Sequence, residues 1–185
     1  MAGELREIDQ ALAAFLAEQR VFFVATAPTG AGGHVNCSPK GGDPLLVLGP
    51  TTVAWVDRFG SGVETVAHLR QNGRIVVMLC AFAGPPRIVR LHGRGRAVEP
   101  GDAEFAPLLQ RCGGRRSGVR SIVVVEVARI ANSCGFGVPL YDYRGERGRL
   151  AEWAEQKGEA GLRAYARAKN GASLDGLPAL RRLDD

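Results

Sequence analysis

A short stretch near the start of the chain, HVNCSPKGG, has the pattern of a strand but carries side chains suited to holding an anionic ligand. Alternate side chains of a strand point to the same face. One face therefore carries four polar residues, His34, Asn36, Ser38 and Lys40. An amide, a hydroxyl and an ammonium in succession, before a glycine turn, can all donate hydrogen bonds to ligand oxygens.

A second stretch, DRFGSGVETVAHLRQNG over residues 57–73, has the signature of a helix amino terminus. Ser61 and Glu64 have the spacing of a capping box, with Ser61 at the N-cap. Gly60 and Gly62 allow a tight turn that leaves backbone amides open to an anion at the positive end of the helix. A plain capped helix is the alternative. The pattern lacks the third glycine and the later acidic residue of a dinucleotide-binding fingerprint, which disfavours that fold.

A third stretch, GPPRIVRLHGRGRAV over residues 84–98, places one arginine among apolar neighbours. Arg87 has the parity of Val89 and Leu91, so it needs a carboxylate or phosphate partner. The opposite parity forms a basic stripe, made of Arg90, His92, Arg94 and Arg96. A solvated strand face, an anionic ligand or a subunit contact would each explain the stripe.

A fourth stretch, NSCGFGVPLYDY over residues 132–143, ends a long strand with Cys134, Gly135 and a second glycine around a phenylalanine. These glycines either let a flat ligand approach the backbone or simply turn the chain. Cys134 has no activating histidine nearby in the sequence, which disfavours a nucleophilic role. The basic loop RCGGRRSGVR, residues 111–120, is interpreted as a surface turn.

Composition excludes several classes of protein. Hydrophobic residues make up 45% and charged residues 23% of the 185 residues, no apolar run is long enough to span a membrane, and the amino terminus is too polar for a signal peptide. We therefore expect a cytoplasmic protein without membrane contact. The charge of +5 is spread evenly, which argues against specific nucleic-acid binding. The scattered cysteines and histidines predict neither disulfides nor a metal site.

Periodicity predicts a mainly β protein with flanking helices. Strands are expected over 21–27, 34–40, 45–48, 51–58, 74–82, 87–98 and 121–134, the last apolar on both faces and therefore central. Helices are expected over about 4–19, 62–72, 102–111 and 146–169, followed by a loosely held tail. So many strands with few helices favour a small antiparallel barrel in one domain over residues 1–185, with both terminal helices packed outside it.

The order of these motifs resembles the pyridoxamine 5'-phosphate oxidase-related family of flavin-binding split barrels. The matching segments are FFVATA, GHVNCSPKGG, VAWVDRFGSGVETVAHLRQNGRIVVML, GPPRIVRLHGRGRAV and SCGFGVP, which together span roughly residues 20–139. The resemblance implies a six-stranded antiparallel split barrel that forms a homodimer, with FMN in a groove between the subunits.

The resemblance also assigns positions around that cofactor. The ring and ribityl chain would lie along Asn36, Cys37, Ser38, Pro39 and Lys40, with Lys40 reaching towards the phosphate. The phosphate loop would correspond to Ser61, Gly62, Glu64 and Thr65, with a polar contact near Arg87, while Cys134 and Gly135 would approach the ring edge. The basic pair that true pyridoxamine phosphate oxidases carry at this helix start is replaced by Glu64 and Thr65. Their final substrate-binding strand is replaced by a charged helix, so we do not expect pyridoxamine phosphate as substrate.

The function that the resemblance implies is hydride transfer between the flavin and a small organic substrate or a reduced nicotinamide, with no side chain assigned as acid or base. Two alternatives stay open. One is a non-catalytic module that holds flavin or haem. The other is a deazaflavin-dependent reductase, since the longer acidic tail of a deazaflavin would suit Arg90, Arg94 and Arg96.

Overall fold

The computed structural model describes residues 4–114 and 117–183, and within these ranges the chain forms eight strands and four helices. The strands are β1 (Glu4–Leu5), β2 (Val21–Thr26), β3 (Asn36–Gly41), β4 (Leu46–Gly49), β5 (Thr52–Arg58), β6 (Arg74–Cys80), β7 (Ile88–Val98) and β8 (Val119–Ser133). The helices are α1 (Gln10–Glu18), α2 (Glu64–Gln71), α3 (Phe105–Arg111) and α4 (Arg149–Lys169).

All the strands belong to one antiparallel sheet with the order β3-β2-β6-β7-β8-β5-β4, and β1 pairs with β8. The two edge strands, β3 and β4, are consecutive in the chain and are joined by residues 42–45 alone. So short a link requires the two edges of the curled sheet to lie close together. The expected mainly β split barrel is confirmed. The described residues contain eight strands instead of six, because two short strands are added: β4 at one edge of the sheet and β1 along the second half of β8.

Helix α1 packs against the main apolar core. Leu12 and Leu16 are almost fully buried and contact a cluster that includes Phe22, Trp55 and Val123. The helix begins at Gln10 and not near residue 4 as predicted. Asp9 is the N-cap, with its Oδ1 accepting a hydrogen bond from the Leu12 amide at 2.7 Å. That cap fixes the start of the helix, and residues 4–5 pair with β8 instead.

Strand β8 is buried on both faces, as its sequence predicts. Val123 and Val125 face the barrel interior, whereas Ile122 and Val124 pack against α3 on the outside through Phe105. The strand pairs with both β5 and β7, so it occupies the centre of the sheet. The other predicted strands lie within a few residues of their observed positions. Helix α3 begins at Phe105, three residues later than expected.

The carboxyl-terminal tail is firmly packed, which contradicts the prediction that it is loosely held. Ala179 and Leu180 are buried against Val63, Val66 and other residues of a third apolar cluster. Backbone hydrogen bonds support this packing, including Leu180 N to the Asn170 carbonyl at 3.2 Å. The tail therefore seals α2 and α4 against each other, and its apolar residues are part of the core.

Candidate functional site

A cleft of about 260 Å³ opens where the barrel is split. Strand β3 forms one side and β5 the other, while the loop that leads into α2 closes one end. Its polar lining consists of Ser38, Lys40, Asp43, Asp57, Arg58, Glu64, Thr65 and Arg120, and its apolar lining includes Phe22, Trp55, Phe59 and Leu150. The consecutive edge strands thus bring chemically useful side chains to one place.

Asp57 is the electrostatic centre of this cleft. Its side chain is 1% exposed, with Lys40 Nζ 2.9 Å from Oδ1 and Arg120 Nε 2.7 Å from Oδ2. Burial alone would raise the pKa of the carboxyl, but the charges and hydrogen bonds of Lys40 and Arg120 outweigh it and lower the pKa from 3.8 to about 2. Two cations around one carboxylate leave one positive charge at the bottom of the cleft.

The polar face of β3 is held by a continuous hydrogen-bond network. Ser38 Oγ donates to Asn36 Oδ1 at 2.8 Å. Asn36 Nδ2 donates to the hydroxyl oxygens of Thr26 and Thr65, each at 3.1 Å. Both amide protons of Asn36 are thereby used, which fixes the orientation of its side chain and leaves Oδ1 able to accept one more hydrogen bond.

This network ends at a buried histidine. His68 Nδ1 lies 2.9 Å from Thr26 Oγ1, the ring is fully buried, and Nε2 has no hydrogen-bond partner within the described residues. Burial lowers the pKa of His68 below 6.5, although the carboxylates of Asp175 and Glu64 oppose that shift. The ring is therefore neutral at pH 7, and it holds Thr26 in place behind Asn36.

The amino end of α2 differs from the predicted capping box. Val63 is the N-cap, and within the described residues no side chain caps the helix. Ser61 lies two residues before the observed N-cap, because burial of Val63 against the tail sets the first turn. Glu64 does not fold back onto Ser61, since its Oε1 accepts a hydrogen bond from the Leu174 amide at 3.3 Å. The first amides of α2 therefore have no capping side chain as partner within the described residues.

The structure brings together part of the predicted set of site residues. Ser38, Pro39, Lys40, Gly62, Glu64 and Thr65 line the cleft, and Asn36 is hydrogen-bonded to Thr65. Cys37 and Ser61 are exposed and are absent from the cleft lining among the described residues. The role of each of these residues towards a cofactor stays a prediction.

Arg87, Cys134 and Gly135 form a separate group that does not line the cleft of the same chain. Arg87 Nε donates to Asn132 Oδ1 at 3.0 Å, and its guanidinium lies 4.6 Å from the centre of the Phe15 ring. Gly135 has a φ of +69°, and a Cβ added there would lie 2.7 Å from the Arg87 amide nitrogen. Close backbone approach therefore accounts for Gly135 within the chain itself.

Sequence reasoning missed several residues that organise the cleft: Thr26, Asp57, His68 and Arg120. Asp57 was detectable in principle, because it follows a run of apolar strand residues where a lone carboxylate needs cationic partners. Arg120 was assigned to a surface turn, but it lies on β8 with its side chain 4% exposed. No sequence signal linked Arg120 to Asp57, which lies 63 positions earlier.

The basic stripe on β7 makes contacts within the chain. Arg90 donates to Ser133 Oγ at 3.1 Å, Arg94 donates to the Asn72 carbonyl at 2.9 Å, and Arg96 pairs with Glu104 at 2.6 Å. The described part of the chain contains no cluster of residues that could hold a metal ion. In the same residues, no helix is long and apolar enough to cross a membrane.

The donors of the cleft fit the phosphate and sugar hydroxyls of a flavin mononucleotide. Arg58 is neutralised by Asp43, so the local excess of positive charge lies where Lys40 and Arg120 surround Asp57. Hydroxyl groups from Ser38 and Thr65 and the uncapped amides of α2 add neutral donors. Glu64 is the unfavourable element, because its carboxylate makes the cleft lining formally neutral overall.

Comparison with known proteins identifies the family. Residues 8–134 match the family model described as Pyridoxamine 5'-phosphate oxidase. The chain belongs to the pyridoxamine 5'-phosphate oxidase family. It is 41% identical over 180 residues to the pyridoxamine 5'-phosphate oxidase family protein ustO of Aspergillus flavus, in an alignment that covers 88% of this chain and 71% of ustO.

Solved structures support the fold of this pyridoxamine 5'-phosphate oxidase family member. The chain is similar to HupZ of Group A Streptococcus, with a TM-score of 0.54 and 21% identity over 69% of this chain and 94% of HupZ. A variant of HupZ with one histidine changed to alanine gives a TM-score of 0.56, over 68% of this chain and 99% of the variant. At this identity the likeness concerns the fold alone.

Proposed function

We propose that this family member binds FMN in the cleft at the split of the barrel and acts as an FMN-dependent oxidoreductase. The observation that carries the proposal is the arrangement of Lys40 and Arg120 around buried Asp57, beside the polar face of β3. It supplies a fixed positive charge and aligned donors, which suit a phosphate ester attached to a hydroxylated chain.

Each group of donors has a proposed part of the cofactor. Lys40 and the uncapped amides at the start of α2 would hold the phosphate, with Arg120 behind them. Ser38 and Thr65 would contact the ribityl hydroxyls. Asn36 would present its remaining acceptor position to a ring or ribityl donor, because both of its own amide protons are already engaged.

Bound flavin supplies the hydride chemistry, and the protein orients it and limits the access of water. No side chain is assigned as acid or base, since each carboxylate that lines the cleft is already hydrogen-bonded within the chain. The substrate is a small organic molecule or a reduced nicotinamide. Glu64 at the start of α2 and helix α4 after the barrel argue against pyridoxamine phosphate itself.

The proposed assembly is a cytoplasmic homodimer with the cofactor at the subunit interface. Three large apolar side chains that follow β8 are at least 64% exposed, namely Phe136, Leu140 and Tyr141. Burial of such a patch against a second subunit is favourable. In the proposed dimer, Arg87 and Gly135 would contribute to the cleft of the partner subunit.

The test is to identify the small molecule that copurifies and to measure its reduction. The proposal predicts one FMN per chain, identified by mass and visible absorption, that loses its absorption anaerobically on addition of a reduced nicotinamide or another donor and regains it with oxygen. FMN that no donor reduces would support the non-catalytic module. A copurifying deazaflavin or haem, or a purified chain that takes up no FMN, would contradict the proposal.

A further inference from the structure

A second cavity, of about 660 Å³, lies between α3, the start of β8, helix α4 and the tail. Its volume exceeds that of the cleft and falls in the range of roughly 300–1,000 Å³ that is typical of small-molecule sites. Its inner wall is apolar and buried, formed by Phe105, Val119, Ala154, Leu162, Ala166 and Leu180. The cavity is open to solvent on one side, so a small ligand could enter it and cover the apolar wall.

The shape of α4 maintains this cavity. Gly158 interrupts the helix with φ 60° and ψ 177°, a conformation that is essentially restricted to glycine. Residues on both sides of the bend, Ala154 and Leu162, line the cavity. The bent helix therefore curves around the cavity. Its carboxyl end lies against the tail, where Arg167 Nη1 donates a hydrogen bond to the Leu183 carbonyl.

One buried cation borders the cavity with weakly engaged donors. Arg120 and Phe59 line both the cavity and the cleft, so they form a shared wall. Arg120 Nε has a short contact with Asp57, at 2.7 Å. In contrast, Nη1 lies 3.5 Å from the Gly60 carbonyl and Nη2 lies 3.5 Å from Asp57 Oδ1, which is the outer limit of a hydrogen bond. Buried donors of this kind gain from a closer acceptor.

The buried carboxylate of the same cavity, that of Glu99, already has hydrogen-bond partners for both oxygens. Glu99 Oε1 accepts from Arg70 Nη2 at 2.6 Å, and Oε2 accepts from the Arg181 amide at 2.8 Å. Both oxygens of Glu99 are thus satisfied within the chain, and a cationic ligand would find no free buried partner there. The buried group of this cavity with unfilled hydrogen-bonding capacity is therefore Arg120, and its donors favour a ligand that carries an acceptor.

We propose that this cavity binds a small organic anion with an apolar body, an aromatic or aliphatic carboxylate or sulfonate whose charged group accepts hydrogen bonds from Arg120. The site is distinct from the cleft and does not require a flavin. Because Arg120 and Phe59 are shared, a ligand in the cavity and an anion in the cleft change each other's affinity by the same factor.

The test uses the fluorescent anion 8-anilinonaphthalene-1-sulfonate and its uncharged analogue N-phenyl-1-naphthylamine, titrated onto the purified full chain without added flavin. We expect saturable binding of one anion per chain, at least about tenfold tighter than binding of the uncharged analogue. Leu162→Trp fills the cavity and should weaken binding of the anion at least about tenfold. Ala164→Trp, on an exposed position of the same helix, should leave it unchanged.

Arg120→Met should remove the preference for the anion over its analogue while the analogue still binds. Circular dichroism confirms that each variant folds, and Ala166→Leu, which fills the cavity from another turn of α4, replaces Leu162→Trp if that variant does not fold. Equal affinity in wild type, the cavity-filling variant and Ala164→Trp would overturn the site. Equal affinity of the two probes for the wild type would overturn the role of Arg120. Neither result depends on whether FMN binds in the cleft.

Discussion

Lys40 Nζ lies 2.9 Å from Asp57 Oδ1, and this ion pair connects strand β3 to strand β5 across the split of the barrel. The two strands stand near opposite ends of the sheet order, so the pair closes the barrel where backbone hydrogen bonds do not. Arg120, on β8, binds the other oxygen of the same carboxylate. One buried carboxylate therefore serves both the fold and the candidate site.

Asp57→Asn should lower the free energy of unfolding by about 3 kcal/mol at pH 7, because it leaves the buried Arg120 and the half-buried Lys40 without their counter-charge. Urea denaturation measures this change. Asp43→Asn, which breaks the half-exposed pair with Arg58, is the matched control and should cost about 1 kcal/mol or less. Equal losses in the two variants would show that burial of Asp57 is not what makes its pair important.

The same carboxylate predicts a pH dependence. Its pKa is about 2 in the folded chain against 3.8 when unfolded, so the unfolded chain takes up the proton first as the pH falls. The stabilisation is complete above pH 3.8 and is lost between that pH and about 2, amounting to about 2 kcal/mol. The stability difference between wild type and Asp57→Asn should narrow across this window, and a constant difference would contradict the assignment.

His68→Gln should remove part of the pH dependence of stability just below neutrality. The pKa of His68 is lowered by burial, so the unfolded chain binds a proton below pH 6.5 that the folded chain resists, and stability falls as the pH decreases. Glutamine keeps a hydrogen bond to Thr26 but does not titrate. Part of the slope should remain, since burial and the charges of Arg129 and Arg90 also lower the pKa of His92. An unchanged slope in denaturation at successive pH values would refute this prediction.

Leu180→Ala should destabilise the chain by about 2–4 kcal/mol, because Leu180 is 8% exposed within the cluster that joins α2, α4 and the tail. Leu174→Ala is the control, since Leu174 is 72% exposed and should cost about 0.5 kcal/mol or less. Thermal unfolding measures the two losses of stability, and a packed tail predicts a much larger loss for Leu180→Ala than for Leu174→Ala. If the tail were loosely held, the two substitutions would cause equally small losses of stability.

Most of the fold could be predicted from the sequence, because alternating apolar residues indicate strands. A strand that is apolar on both faces indicates the centre of a sheet. Strand β8 shows this clearly. The tail was not readable, since its apolar residues are separated by glycine, proline and arginine without a regular period. Leu180 is buried through contacts with α2 and α4 that only the folded chain assembles.

Only the part of the candidate site that lies on β3 could be predicted from the sequence. The parity of Asn36, Ser38 and Lys40 correctly placed them on one half-buried face of β3. The partners of Asn36 and Lys40 come from β2, α2 and β5, and Arg120 of β8 joins them only through Asp57, at sequence separations that no local pattern encodes. The helix start at α2 was misplaced because Ser61 has the right spacing for a cap, but packing of Val63 against the tail decides where the helix begins.

Lys40→Ala combined with Arg87→Ala should weaken FMN affinity at least about tenfold, because each change removes a cation proposed to contact the cofactor. The two single variants measure how much each cation contributes to FMN affinity. They are informative because Lys40 lies in the cleft, whereas Arg87 of the same chain lies beside Gly135. Arg163→Ala, which removes a surface cation paired with Glu159, is the control and should leave affinity unchanged. Unchanged affinity in the double variant would reject this placement of the cofactor.

The central claim is that the cleft at the split of the barrel holds the phosphate of FMN through the positive charge around Asp57. It is tested most directly by comparing the dissociation constants of FMN and riboflavin, which lacks the phosphate, for the wild type and for Lys40→Met. The account predicts that the wild type binds FMN at least about tenfold more tightly than riboflavin and that Lys40→Met loses most of this preference. Equal affinities of the wild type for FMN and riboflavin would contradict it.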